Sequence, residues 1–186
     1  MRFLRMWTFV GVIACLVVSA GCGGGGASPG TTPTSASRST LASWRDETVG
    51  PLRLGMRESE LVSAIGEPTQ RGEFREMEAT GERLAEWSWP ALGVDLVMID
   101  DGGPRIASIA LHAPSSFLTG RGVGLGTSYD EVVSAYLDVP TEADDDPRTD
   151  ATDHGWVRLG NAYAGLSFTL ENGRVTGVFL GSTGAE

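Results

Sequence analysis

Leu54-Gly55-Met56-Arg57-Glu58-Ser59-Glu60-Leu61-Val62-Ser63-Ala64-Ile65 decides how this chain is read, because the phrase returns later. The second occurrence is Leu125-Gly126-Thr127-Ser128-Tyr129-Asp130-Glu131-Val132-Val133-Ser134-Ala135-Tyr136. Leu, Gly, Glu, Val, Ser and Ala recur at matching places. Two further blocks follow each phrase in the same order. Gly93-Val94-Asp95-Leu96-Val97-Met98 matches Gly165-Leu166-Ser167-Phe168-Thr169-Leu170, and Arg105-Ile106-Ala107-Ser108-Ile109-Ala110-Leu111 matches Arg174-Val175-Thr176-Gly177-Val178-Phe179-Leu180. Ordered self-similarity of this kind marks a duplicated unit.

Each block has a physical reading. Ser128 and Glu131 have the spacing of a capping box, so a helix starts there, runs through about Leu137 and stops before Pro140. In the first copy the helix covers Arg57–Ile65, with Leu61 and Ile65 on one face; Gly66 ends it and Pro68 follows. Asn172-Gly173 lies between alternating apolar runs and predicts a hairpin turn. Asp100-Asp101-Gly102-Gly103-Pro104 is the matching turn. Trp87 and Trp89 alternate with Glu86 and Ser88, which predicts another strand, and Trp44 is expected to dock onto the folded unit. The expectation is an α+β fold of two tandem helix-plus-three-strand repeats, about 50–112 and 121–181. They would form one antiparallel sheet with the helices on one face.

Leu54-Gly55-Met56 through Gly66-Glu67-Pro68 resembles the Gly-Met-(Thr/Ser) to Gly-x-Pro signature of the SmpA/OmlA-type outer-membrane assembly lipoproteins. The tandem arrangement is similar to the β-lactamase-inhibitor-protein-like fold. The resemblance covers most of residues 50–181. It departs at Arg57, where the family has a small hydroxyl residue, and the second copy lacks the closing Gly-x-Pro. It implies a protein that binds other proteins and does not catalyse. The motif serves helix start and stop, so it speaks to fold more than to function.

Working outward, the N-terminus reads as an export signal. Arg2 and Arg5 form a basic start, and Met6 to Val18 is almost wholly apolar, shorter than the roughly 20 residues a membrane span needs. Ser19-Ala20-Gly21-Cys22 resembles a lipobox, which implies cleavage after residue 21 and lipidation of Cys22. Ser19 stands where Leu is usual. Cleavage there discards Cys15 and leaves one thiol, so no internal disulfide or paired-cysteine metal site can form. Two acyl chains suffice for stable anchoring to a membrane. Residues 22–43 are rich in Gly, Ser, Thr and Pro and read as a flexible tether of roughly 25 Å. The expected organisation is therefore signal peptide 1–21, lipidated tether 22–43 and one folded domain 44–186. The expected location is the outer membrane, facing the periplasm, if the host is Gram-negative, because Gly23 replaces the aspartate that would favour inner-membrane retention.

Charge narrows the partners. The chain carries a formal charge of −10 and no lysine, and loss of Arg2 and Arg5 makes it more acidic still. Nucleic acid and anionic membrane surfaces offer such a chain no electrostatic attraction.

The chemistry-bearing patterns are weak. Gly120 to Ser128 is glycine-rich but lacks the lysine of a phosphate loop, and Gly126 is explained as the counterpart of Gly55. Asp144, Asp146 and Asp150 offer oxygen ligands for Ca²⁺, yet the spacing lacks the central glycine and closing glutamate of an EF-hand. His112 and His154 stand without cysteine partners for zinc. No Gly-x-Ser-x-Gly nucleophile motif occurs, and the acids of Glu73 to Glu86 read as solvated strand faces rather than a glycosidase pair. The expectation is thus a non-catalytic protein–protein interaction module without a cofactor, with Trp87, Trp89, Trp156 and Tyr163 as candidate partner-binding residues. The alternative is a small-ligand or Ca²⁺-binding envelope lipoprotein using the Asp144–Asp153 loop.

Overall fold

The chain was described from a computed structural model over residues 44–139, 154–160 and 164–182. Two helix starts organise it. Helix α2 (Tyr129–Tyr136) opens on a reciprocal cap: Ser128 Oγ accepts from Glu131 N at 3.4 Å and Glu131 Oε2 accepts from Ser128 N at 2.9 Å. Helix α1 (Glu58–Ile65) has half of this device. Glu60 Oε2 accepts from Arg57 N at 3.1 Å, but a guanidinium has no acceptor to return the bond. Gly66, at φ +83°, closes α1 by donating its N–H to Val62 O at 2.9 Å.

Strands make up the rest. A 3₁₀ turn at Trp44–Asp46 leads into a two-stranded hairpin, β1 (Thr48–Val49) and β2 (Leu52–Arg53). After α1 come β3 (Gln70–Arg71), β4 (Arg75–Glu76), β5 (Arg83–Trp89), β6 (Val94–Asp100) and β7 (Pro104–Leu111). After α2 come β8 (His154–Gly160), β9 (Ala164–Glu171) and β10 (Arg174–Ser182). These eight form one antiparallel sheet in the order β3-β5-β6-β7-β10-β9-β8, with β4 paired to β5 beside β3. The β9–β10 turn places Asn172 at φ +52° and Gly173 at φ +69°; two consecutive positive φ values match the right-handed twist of a tight hairpin.

The centre of the sheet is the β7–β10 seam. Leu111 faces Val178, Ala110 faces Phe179 and Ile109 faces Leu180. Each helix start leans on this pair of strands. Gly55 N donates to Ile106 O at 2.8 Å, and Gly126 N donates to Val175 O at 2.7 Å.

The α+β expectation of two helix-plus-three-strand repeats is corrected by this architecture. The protein is mostly β, and its described residues set two eight-residue α-helices against an eight-stranded sheet. The two halves are also unequal. Residues 70–76, which carry no apolar alternation to signal a strand, pair through their backbone with β5 and add β3 and β4 to the first half. Each helix is too short to cover its share of the sheet. The β1–β2 hairpin and the segment before α2 do much of that work, burying Val49, Leu52 and Val123 in the same core. The duplication survives locally, at the helix starts and the seam, and not as two equal units.

One face of the sheet forms the core. Trp87, Leu96, Ile109, Leu180, Phe168 and Leu159 are buried on successive strands. Leu61 from α1 and Val132 and Tyr136 from α2 pack against them, with the Tyr136 and Phe168 rings 5.4 Å apart. The first described residues are locked into the same core. Trp44 is buried as expected. Glu47 is 1 % exposed and fully bonded: Oε1 accepts from Thr48 N at 3.1 Å and Gly120 N at 2.8 Å, and Oε2 accepts from Tyr136 Oη at 2.9 Å. A buried carboxylate is tolerated only when its lone pairs are satisfied in this way.

Candidate docking face

The other face of the sheet has no helix or strand over it among the described residues. Strand alternation sets its content. One cross-sheet row runs Ser88, Asp95, Ala110, Phe179, Ser167, Arg158, from β5 to β8. The neighbouring row runs Glu86, Val97, Ser108, Gly181, Gly165, Gly160. The second row is small through its middle because the backbones approach closely there. A Cβ on Gly181 would lie 2.5 Å from Ser108 Cβ, and one on Gly165 would lie 2.2 Å from Leu159 O. On its β3–β7 side the face forms an open groove of about 1140 Å³, floored by Val97, Ile99, Ala107, Ala110, Leu84 and Phe179.

The aromatic candidates separate. Trp87 and Trp89 lie next but one on β5 and share a fate, at 2 % and 3 % exposure. Trp89 Nε1 donates to Gly66 O at 3.1 Å, tying β5 to the end of α1. The Trp87 ring lies under the Arg71 guanidinium at 4.1 Å and meets Phe74 edge-on. Both are core residues and present no ring to a partner. Trp156 is 51 % exposed on the uncovered face, with the Arg158 guanidinium 4.3 Å above its ring. A tryptophan left in water with an arginine stacked on it is the composition of an interface anchor. Tyr163 lies outside the described residues.

Cys22 and Asp144, Asp146 and Asp150 lie outside the described residues. Among the described residues no group of three or more His, Cys, Asp or Glu side chains is arranged to hold a metal, and no helix is long and apolar enough to cross a membrane. His112 sits at the edge of the face. Its Nε2 is 3.0 Å from Asp95 Oδ2 and its Nδ1 is 2.8 Å from Ala113 O.

Sequence reading missed Ala110, Phe179, Ser108 and Gly181. The signal was present in the third repeated block, where the outward positions are small in one copy and carry Phe179 in the other. Reading it required knowing that the two blocks become neighbours across one seam.

No family model, curated protein or solved structure matches this chain.

Proposed function

We propose that this chain is a lipid-anchored protein of the cell envelope whose folded unit binds another protein on the uncovered sheet face, without catalysis. The lipobox-like Ser19-Ala20-Gly21-Cys22 and the 22–43 tether support export and anchoring through Cys22, at the outer membrane facing the periplasm in a Gram-negative host. The observation that carries the binding reading is the uncovered face itself, with an exposed Trp156 at one side and an apolar-floored groove at the other. An exposed tryptophan on the same face as an apolar-floored groove has the composition of a contact site. The arrangement has a flat aromatic anchor and an apolar-floored groove, and so suits a polypeptide surface.

The test is affinity capture with a tagged full-length chain from the cells that make it, after chemical crosslinking. Trp156→Ala and Phe179→Ala variants are run in parallel, and a Cys22→Ala variant reports on anchoring. The expected result is one dominant protein adduct, weakened at least severalfold by either aromatic change and by loss of the anchor. Unchanged adducts in both aromatic variants, with the variants folded, would remove the face as the binding site.

A further inference from the structure

We infer that the groove on this face takes a cationic polypeptide segment, rich in arginine or lysine and bearing an apolar side chain; this rests on the docking reading above. Two features of the groove select that occupant. Its floor is apolar: Val97, Ile99, Ala110 and Phe179 stand part-exposed with nothing described above them. Its rim is acidic. Glu86 and Asp95 rise from β5 and β6, and Glu73, Glu76 and Glu82 come from the chain around β3 and β4. Two arginines share this lining, Arg71 and Arg75. Arg71 is already engaged outside the groove, with its guanidinium 2.7 Å from Glu58 and 3.0 Å from Glu67. Asp95 is shared with His112 at 3.0 Å. Among the described residues that leaves the rim with a clear excess of carboxylate over cation.

The combination excludes the simpler occupants. A small cation gains nothing from the apolar floor. Anionic lipid headgroups are repelled by the rim, and the chain as a whole is acidic. A neutral apolar segment would bury the floor but leave the rim carboxylates without partners as water is displaced. Arginine or lysine side chains answer the rim, and an intervening apolar side chain fills the floor. Complementary charge of this kind speeds encounter and selects the partner more than it adds raw affinity.

The test uses the full-length chain in neutral detergent and three fluorescein-labelled nonapeptides. All carry the same alternating leucine and tryptophan anchors; the intervening positions are all arginine, all glutamine or all glutamate. Fluorescence anisotropy reads binding, with phosphatidylglycerol vesicle sedimentation as a separate arm. The arginine peptide is expected to bind at least tenfold tighter than the glutamine peptide. That advantage is expected to vanish in Glu86→Arg/Asp95→Arg and to persist in Asp130→Arg, an exposed change on α2. Equal binding of the arginine and glutamine peptides, abolished by filling the floor with Ala110→Trp, would overturn the charge inference and leave the docking face standing. Binding untouched by Ala110→Trp, or no peptide binding at all, would overturn both. Sedimentation with phosphatidylglycerol vesicles in place of peptide binding would assign the face to lipid and overturn the inference.

Discussion

Tyr136 and Glu47 hold the first residues of the folded unit to its second helix. The Tyr136 hydroxyl donates to Glu47 Oε2 at 2.9 Å and lies 2.7 Å from Thr119 Oγ1. Burial, followed by the neighbouring Glu47 carboxylate, pushes the phenol above its ordinary range, so it stays a neutral donor. A raised pKa in the folded state gives stability that is complete below the ordinary tyrosine value. That stability is lost as pH rises, because the unfolded chain ionises first. Urea midpoints should therefore hold up to about pH 10 and fall above it. In Tyr136→Phe the alkaline fall should be shallower. The same variant should be less stable at neutral pH by about 1–3 kcal/mol, because a buried carboxylate oxygen loses its donor. Urea melts from neutral to alkaline pH in both proteins check this. Glu47 was invisible in the sequence. An acid next to Asp46 carries no signal until Gly120 and Tyr136, far along the chain, are brought to it.

At the scale of elements, the helix starts were legible and the strand count was not. Ser128-x-x-Glu131 states its cap in the sequence, and the structure places both bonds. Ser128→Ala should cost about 1 kcal/mol in chemical denaturation. Hydrogen bonds from Ser128 side chain and backbone hold the Glu131 carboxyl below its ordinary value. Its contribution is therefore present above the ordinary glutamate value and is lost as pH falls below that value through the lowered folded one. Arg57 occupies the same position on α1 with no acceptor to offer. Arg57→Ser should complete that cap and stabilise the protein by about 0.5–1 kcal/mol, read in the same melts.

The strands β3 and β4 escaped sequence reading because Gln70–Arg71 and Arg75–Glu76 lack apolar alternation and are held by backbone pairing to β5. The seam gives a further structural prediction. Gly181 sits at φ +139°, with a Cβ there falling 2.5 Å from Ser108 Cβ. Gly181→Val combines left-handed strain with a backbone clash and should destabilise by about 3 kcal/mol or more. Loss of amide-exchange protection should be largest along β7 and β10.

At the scale of the whole molecule, one sheet carries two roles. Its covered face holds the core and its uncovered face is offered to a partner. Sequence reading reached the idea of an open aromatic face but chose its residues by type. Trp87 and Trp89 are as aromatic as Trp156; only strand direction separates them, and direction depends on which face the helices cover. The groove was less legible still, since its floor takes Val97, Ile99, Ala110 and Phe179 from strands that meet only in the folded sheet. The claim that this face docks a protein is tested most directly by site-specific photocrosslinking in the cells that make the chain. A photoreactive phenylalanine analogue is placed at Trp156, exposed on the uncovered face, or at Ser63 on the exposed side of α1. A discrete protein adduct from position 156, absent from position 63, is the predicted result. No adduct at 156, or the same adducts from both positions, would contradict it.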